Sequence, residues 1–144
     1  MVSKQTRRMK EARLIRPEDV FLVWDEVQPL ITKALVKSDE AYNSLDYLDL
    51  IMRERCALWI GLDNNEIKSA LVCESTQLPR AKILQIHIWA TKSGYDYEPW
   101  MKHFGSIEDY GRENGCSIIE VTVRKGLAKK LNWKHTYSVL TKRI

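Results

Sequence analysis

Glu74 and His87 are the two residues whose side chains best suit acid–base chemistry. Each falls in an extended run, and the two runs are neighbouring predicted strands. An unperturbed imidazole titrates near physiological pH, so the pair is a candidate general base. The alternative is that Glu74 is a solvated or salt-bridged strand residue and His87 a hydrogen-bonded sheet residue. We favour this alternative, because acid–base work requires a defined geometry, and we assign no catalytic residue.

The other reactive side chains lack the spacing of a known site. The three histidines show no ligand spacing with one another or with the cysteines, so we expect no metal site; they are His87, His103 and His135. Neither a GxSxG nor a GxxxxGK[ST] motif occurs. The cysteines are odd in number and lie in apolar runs, which predicts small buried hydrophobes in a reducing compartment. They are Cys56, Cys73 and Cys116.

Charge is distributed unevenly along the 144 residues, whose net charge is +4. Residues 1–16 and 121–144 are strongly basic, whereas residues 17–120 are acidic overall. Such a pattern favours docking to acidic partners, including nucleic acid or a second copy of the chain. The basic C-terminal segment with Trp133 could track a phosphate backbone. It could equally be the solvated face of a short helix, with Trp133 in the core.

The length and composition predict one folded domain. Apolar residues make up 44% of the chain and charged residues 29%, as in ordinary globular proteins. No apolar run approaches the length of a membrane span, and Met1 to Lys10 lacks the apolar segment of a signal peptide. We therefore expect a basic tail over residues 1–11 and a single domain over residues 12–144.

The pattern of apolar residues predicts an α/β (α+β) fold in the order β, α, α, β, β, β, α, β, α, β. The helical stripe from Val20 to Leu35 contains Pro29, which predicts a kink or a break. The cluster Asp63-Asn64-Asn65-Glu66 predicts a hairpin turn, and Gly115 a left-handed helix end. The predicted strands are Ala12–Ile15, Ala57–Leu62, Ile67–Ser75, Lys82–Ala90, Ile118–Val123 and Tyr137–Thr141; the later helices are Leu45–Arg55, one beginning near Pro99, and Lys125–Leu131.

This order resembles the GNAT (acetyltransferase-like) superfamily over nearly the whole chain, which implies a mixed sheet of about six to seven strands flanked by about four helices. Within that superfamily, several stretches are similar to short proteins encoded by bacteriophages and prophages. The stretches are Ile15-Arg16-Pro17 with Val23-Trp24 and Val27, Leu58-Trp59-Ile60-Gly61, Glu74 with Leu78-Pro79-Arg80, Trp100, Tyr110 to Cys116, and Val121 to Leu131 with Arg124 and Gly126.

The resemblance implies a loop that binds the acyl-CoA pyrophosphate after the fourth strand, where residues Thr91 to Pro99 lie. If acyl-CoA binds, Lys92, Ser93 and Gly94 are the residues expected to contact it. The same stretch has a single glycine, two tyrosines and two carboxylates, which oppose a polyphosphate. The family's proton-donating tyrosine is also missing from the helix after the fifth strand, and Tyr137 lies beyond that helix.

From these departures we expect a non-catalytic phage protein, a virion-associated or internal structural component without a cofactor, located in the virion or the host cytoplasm. The alternatives are an N-acyltransferase dependent on acetyl-CoA and a nucleic-acid-binding accessory protein. The expected partners are other proteins or copies of the same chain in a phage particle. The expected interaction residues are Tyr95, Tyr97, Trp100, Arg124, Lys125, Lys129 and Lys130.

Overall fold

Five strands form one mixed sheet in the computed structural model, which describes residues 10–36, 41–92, 103–122 and 125–144. Helices cover both faces of this sheet, so the predicted α/β class is confirmed. The strands are β1 (Lys10–Ile15), β2 (Ala57–Asp63), β3 (Glu66–Gln77), β4 (Lys82–Thr91) and β5 (Ile118–Val121). The helices are α1 (Val20–Leu35), α2 (Ser44–Met52), α3 (Gly105–Glu113) and α4 (Lys125–Leu131), with a 3-10 turn at Pro17–Asp19.

The sheet follows the order of the chain, β1-β2-β3-β4-β5. The first four strands pair antiparallel, and β4 pairs parallel with β5. A parallel pair needs a crossover connection, which here contains α3. The parallel pairing is short and runs from Ile83 opposite Ile118 to Ile86 opposite Val121.

The turn between β2 and β3 is the hairpin that the sequence predicts. Asn64 and Asn65 have φ angles of 53° and 66°. Two successive residues with positive φ are the signature of a type I′ turn, which asparagine tolerates better than most residues. Gly115 follows α3 with a φ of 80°, so the predicted left-handed helix end is confirmed as well.

Each face of the sheet has its own apolar cluster. Helices α1 and α2 cover one face, which we call the α2 face, and α3 and α4 cover the other, which we call the α3 face. Buried residues on the α2 face include Val20, Val27, Leu30, Ile31, Tyr47, Ile51, Cys56, Leu58, Val72 and Ile88. Those on the α3 face include Trp59, Leu71, Cys73, Leu84, Ile86, Trp89, Phe104, Ile107, Cys116 and Leu131.

Helices α1 and α2 show how local signals and packing compete. The sequence predicts a kink or a break at Pro29. Helix α1 continues through the proline without a break, because Val27 and Leu30 anchor it to the sheet on either side. Helix α2 begins with a capping box, in which Asn43 and Asp46 exchange hydrogen bonds of 3.0 and 2.8 Å between side chain and backbone N–H.

The C-terminal strand is where the prediction is wrong. The segment 133–144 forms no strand, so the described residues contain five strands rather than six or seven. Tyr137 and Leu140 are 60% and 89% exposed, and a strand that buries no face lacks the packing that stabilises a sheet. Strand β5 ends at Val121, and both Val123, where the predicted strand ends, and the helix start predicted near Pro99 lie outside the described residues.

The division into a tail over residues 1–11 and a domain over residues 12–144 stays a prediction, although β1 begins at Lys10. Among the described parts of the chain, no helix combines the length and apolar character needed to cross a bilayer.

Candidate functional site

Strand β4 carries a one-residue bulge at His87. Val72 pairs with Ile88, whereas the next residue of β3, Cys73, pairs with Ile86. His87 therefore has no partner on β3, and it is also the first residue beyond the last pair of β4 with β5. Bulges reorient a side chain and bend the strand that carries them.

The bulge also changes which face of the sheet successive residues occupy. Before it, Leu84 and Ile86 lie in the apolar cluster of the α3 face. After it, Ile88 and Ala90 lie in the cluster of the α2 face. Because strand residues alternate between faces, His87 follows Ile86 on the opposite face, the α2 face, where it meets Glu74 of β3. At the bulge the alternation fails once, so Ile88 also lies on the α2 face.

Glu74 and His87 form a hydrogen-bonded pair. His87 Nε2 lies 3.0 Å from Glu74 Oε1, and the two side chains are 15% and 21% exposed. The second carboxylate oxygen, Oε2, lies 3.7 Å from the guanidinium of Arg55. The other ring nitrogen, Nδ1, lies 3.5 Å from the Tyr47 hydroxyl. When Nε2 carries the proton and donates it to Glu74, the lone pair of the ring is on Nδ1.

An aromatic wall borders this pair. The rings of Tyr42 and Tyr47 are stacked at 5.2 Å, and both meet the His87 ring edge-on, at 6.4 and 5.8 Å. Tyr47 is buried, while Tyr42 is exposed at the rim. Burial, with smaller contributions from neighbouring acidic groups, raises the pKa of Tyr47 to about 12. Its hydroxyl is therefore neutral at physiological pH and available as a hydrogen-bond donor.

Cys56 completes the cluster from the residue before β2. One ligand-type atom from each of Cys56, Glu74 and His87 lies within 4.8 Å of the others. Burial, reinforced by the charge of Glu74, raises the pKa of the Cys56 thiol to about 12. All three cysteines are buried and free, which agrees with their predicted role as small buried hydrophobes.

Beyond the bulge the sheet opens. Strand β5 ends at Val121, whereas β4 continues for five more residues to Thr91. The carbonyl of Thr91 accepts a hydrogen bond from Lys33 Nζ at 3.0 Å, and the N–H of Lys92 donates to the carbonyl of Lys68 at 2.7 Å. These bonds hold the end of β4 against β3 and α1 in the stretch where β4 no longer pairs with β5.

A cavity of about 480 Å³ lies on the α3 face at this opening. Its aromatic side chains pack together, with Phe104 stacked on Trp89 at 5.3 Å and close to Trp133 at 5.4 Å. The lining also contains the oppositely charged Glu108 and Arg112. The volume is typical of small-molecule sites. The lining residues are Trp89, Phe104, Glu108, Gly111, Arg112, Cys116, Ser117, Ile118, Ile119, Leu131 and Trp133.

The opening thus has different chemistry on its two sides. Trp89 lines the cavity on the α3 face, whose lining mixes aromatic and polar side chains, whereas His87, two residues earlier, belongs to a polar cluster on the α2 face.

The sequence analysis foresaw only part of this site. Glu74 and His87 do meet, and the hydrogen bond and ion pair of the favoured alternative are also present. Tyr47, Arg55 and Cys56 were missed. The four-residue spacing of Tyr47 and Ile51 on the buried side of α2 is the signal that could have found Tyr47.

The predicted cofactor and interaction residues lie away from this cluster or outside the described residues. Lys92 is exposed at the end of β4, and Lys129 and Lys130 are exposed at the end of α4. Lys125 begins α4, but its side chain lies outside the described part of the structure. The remaining predicted residues also lie outside it, namely Ser93, Gly94, Tyr95, Tyr97, Trp100 and Arg124.

Comparison with solved structures shows which fold this is. An aminoglycoside acetyltransferase from an uncultured soil metagenomic sample, in complex with sisomicin, matches with a TM-score of 0.72 and 12% identity, covering 100% of this chain and 98% of that one. A predicted acetyltransferase from Clostridium acetobutylicum with acetyl-CoA matches with a TM-score of 0.67 and 13% identity, covering 94% and 96%. The fold is the GNAT fold.

A third structure with this fold is the ribosomal-protein-alanine N-acetyltransferase from Brucella melitensis biovar Abortus 2308, with a TM-score of 0.69 and 9% identity over 94% of this chain and 99% of that one. No family model matches the sequence, and no curated protein is similar to it. The resemblance to the GNAT superfamily is therefore confirmed at the level of the fold.

The comparison corrects the main functional expectation. We expected a non-catalytic structural component of a virion without a cofactor, but structures that match this GNAT-fold chain almost from end to end are acetyltransferases, one of them with acetyl-CoA. The expectation of an inert scaffold rested on the phage resemblance, the basic ends, the tyrosine missing from the helix after the fifth strand, and the carboxylates and tyrosines between residues 93 and 100. That last stretch lies outside the described residues. The described site, in contrast, has an opening and a polar cluster beside it.

Proposed function

We propose that this protein is an N-acyltransferase that transfers the acyl group of an acyl-CoA, such as acetyl-CoA, to an amine. The observation that carries the proposal is the Glu74–His87 hydrogen bond at the point where β4 separates from β5. That pair lies beside the gap in the sheet, so a proton acceptor is present at the place where the donor and acceptor sides of the opening meet. The GNAT fold supports the same conclusion.

The donor side of the opening suits an acyl-CoA. Trp89, Phe104 and Trp133 provide aromatic surface for the long arm of the molecule, and the polar groups of the same cavity include Glu108 and Arg112. When bound, acyl-CoA supplies a thioester that an amine can attack. In this proposal the exposed Lys92, followed by Ser93 and Gly94, contacts the pyrophosphate at the end of β4.

The acceptor side provides a place for an amine and its proton. Glu74 accepts the N–H of His87 Nε2 and thereby leaves the lone pair on Nδ1, the nitrogen that faces the Tyr47 hydroxyl. We assign Nδ1 the task of accepting the amine proton. Arg55 contacts the second oxygen of the Glu74 carboxylate and orients it, and the stacked rings of Tyr42 and Tyr47 shield one side of the cluster from water.

Tyr137 does not lie in the helix after the fifth strand, where the proton donor to the departing thiolate is expected. Its hydroxyl makes a side-chain hydrogen bond to Glu120 of β5, which raises the pKa of Tyr137 above its usual value. Helix α4 contains no tyrosine. In this proposal the acid–base work of the protein is therefore concentrated at Glu74 and His87.

Two measurements test the proposal. Calorimetric titration with acetyl-CoA is expected to give saturable heat, and release of free thiol from acetyl-CoA is expected with at least one member of a panel of aminoglycosides and peptide amines. His87→Gln and Glu74→Gln are each expected to lower the rate by about 10²- to 10⁴-fold with binding retained. His135→Gln and Glu113→Gln are matched controls at exposed positions. Absence of saturable heat would contradict the proposal.

The finer expectations of source and partners stay predictions. They include a phage or prophage origin, a location in the virion or host cytoplasm, and contact with acidic proteins or nucleic acid through basic residues such as Lys129 and Lys130. Both lysines lie at the exposed end of α4. Binding to nucleic acid that weakens steeply with added salt is the expected behaviour for the last of these.

A further inference from the structure

Cys56, Glu74 and His87 bring together three types of metal-binding atom. The thiol sulfur, a carboxylate oxygen and an imidazole nitrogen lie within 4.8 Å of one another. They come from the residue before β2, from β3 and from the bulge of β4, which are neighbouring parts of one sheet. Register pairing with Gln85 positions Glu74, whereas Cys56 lies in the connection between α2 and β2, where its N–H donates to the carbonyl of Leu50 at 3.1 Å.

The spacing approaches that of a tetrahedral zinc site. With Zn–S near about 2.3 Å and Zn–N near about 2.0 Å, sulfur and nitrogen ligands of one zinc ion lie about 3.5 Å apart. His87 Nε2 and Glu74 Oε1 are already 3.0 Å apart. A sulfur within 4.8 Å of both reaches ligand distance by a side-chain rotation of little more than about 1 Å.

The neighbours of the cluster suit this use. Metal-bound histidines commonly donate their second ring N–H to a nearby oxygen, which fixes the ring. The Tyr47 hydroxyl lies 3.5 Å from Nδ1 and can accept that N–H. The Arg55 guanidinium lies 3.7 Å from Oε2 of Glu74. The other carboxylate oxygen, Oε1, is the one that bonds to His87 and remains available to a metal ion. The Arg55 side chain is 66% exposed, so the guanidinium has room to stay away from a cation.

We propose that Cys56, Glu74 and His87 form a binding site for one zinc ion, with water or an acceptor group as the fourth ligand. Sulfur, nitrogen and oxygen donors together favour Zn²⁺ over Mg²⁺ or Ca²⁺, which prefer oxygen alone. On binding, the Cys56 Sγ–H bond breaks, its proton goes to solvent, and the sulfur electron pair binds the metal. No electron is transferred, so the step needs no redox partner.

Zinc and acyl transfer compete for the same atoms. A metal on Nε2 moves the ring proton to Nδ1, so His87 no longer has a lone pair for an amine proton. Zinc binding is therefore expected to inhibit the transferase reversibly. This consequence rests on the proposed function, whereas the zinc site itself does not.

The direct test is titration of the full-length protein, without acyl-CoA, with Zn²⁺ in competition with a chromophoric chelator, and with Co²⁺ as a spectroscopic substitute. One ion per chain is expected, with a near-ultraviolet thiolate-to-cobalt band. Cys56→Ser and His87→Gln are expected to lose this binding. Cys116→Ser and His135→Gln are expected to keep it, because neither residue belongs to the cluster. Tyr47→Phe is expected to weaken binding by about 10- to 100-fold.

Several results decide the matter. No cobalt–thiolate band with the wild-type protein, or equal affinity for Cys56→Ser and Cys116→Ser, overturns the proposal. If Cys56→Ser does not fold, the comparison of His87→Gln with His135→Gln replaces that variant, and equal Zn²⁺ affinity of these two proteins is decisive against the site. Inhibition of thiol release by Zn²⁺ is measured separately, so failure of the transferase proposal is distinguishable.

Discussion

Glu74 pairs with Gln85 in the register of β3 and β4, yet its side chain bonds to His87, two residues farther along β4. Residues in this diagonal relationship lie on one face of a sheet and are reached only by long side chains. Alternation along β4 places the imidazole on the α2 face, where Glu74, Tyr47 and Cys56 also lie, and the bulge places Ile88 on that face as well. The diagonal contact of Glu74 with His87 thus joins β3 and β4 within the polar cluster.

The coupling of these two residues predicts the result of a double-mutant cycle. If Glu74 acts only by fixing the His87 ring, Glu74→Gln is expected to lower the rate little further in a protein that already carries His87→Gln. We expect the double variant to be about as slow as His87→Gln alone in thiol release. Losses that multiply across the two variants would show that Glu74 acts independently of His87.

The capping box at the start of α2, the helix that carries Tyr47, is expected to stabilise the folded protein. Asn43→Ala removes the acceptor for the Asp46 N–H, and we expect it to lower the free energy of unfolding by about 1 kcal/mol. Asn43→Asp is expected to recover most of the loss, because aspartate is an equally good cap. Urea denaturation measures both variants.

The control for the cap lies in the first turn of the same helix. Leu45 is 65% exposed, and its side chain takes no part in the capping box formed by Asn43 and Asp46. We expect Leu45→Ala to change the free energy of unfolding by no more than about 0.5 kcal/mol. A loss equal to that of Asn43→Ala would refute the role of the cap.

Two leucines of α1 provide a matched test of the core. Leu30 is 7% exposed and packs on the sheet, whereas Leu22 is 81% exposed. We expect Leu30→Ala to cost about 2–5 kcal/mol and Leu22→Ala to stay within about 0.5 kcal/mol. Chemical denaturation of both variants measures the difference. Similar costs at the two positions would contradict the packing of α1 described above.

Burial of Tyr110 predicts a dependence of stability on pH. Burial, together with the nearby cysteines, raises the pKa of Tyr110 above its usual value of 10.0. The folded protein therefore holds a proton that the unfolded chain loses, so this contribution is complete below about pH 10 and is lost as the pH rises through the higher folded pKa. Its ring also contacts Trp59 edge-on at 5.7 Å.

Tyr110→Phe removes this titration and keeps the ring. We expect the wild-type protein to lose more stability between pH 8 and pH 10.5 than the phenylalanine variant, as measured by urea denaturation at the two pH values. Other alkaline titrations cancel in the comparison of the two proteins. A phenylalanine variant that loses as much stability as the wild type would contradict the prediction.

Local signals predict turns and helix ends where neighbouring residues alone set the backbone conformation. The asparagine turn, the glycine after α3 and the α4 boundaries follow from neighbouring residues. In contrast, of the kink or break that Pro29 predicts, the break does not form, because contacts on both sides of the proline stabilise a continuous helix. The segment near Tyr137 has the composition of a strand, but nothing buries its side chains.

By itself, the sequence determined the order of helices and strands as far as α4, the α/β class and the candidacy of Glu74 and His87. These depend on periodicity and residue type, which are local properties. Only the tertiary structure decided that β4 bulges at His87, that β5 stops at Val121, and that Tyr47, Arg55 and Cys56 join the pair. Such contacts depend on strand register and on packing between residues far apart in the chain, and no single segment encodes them.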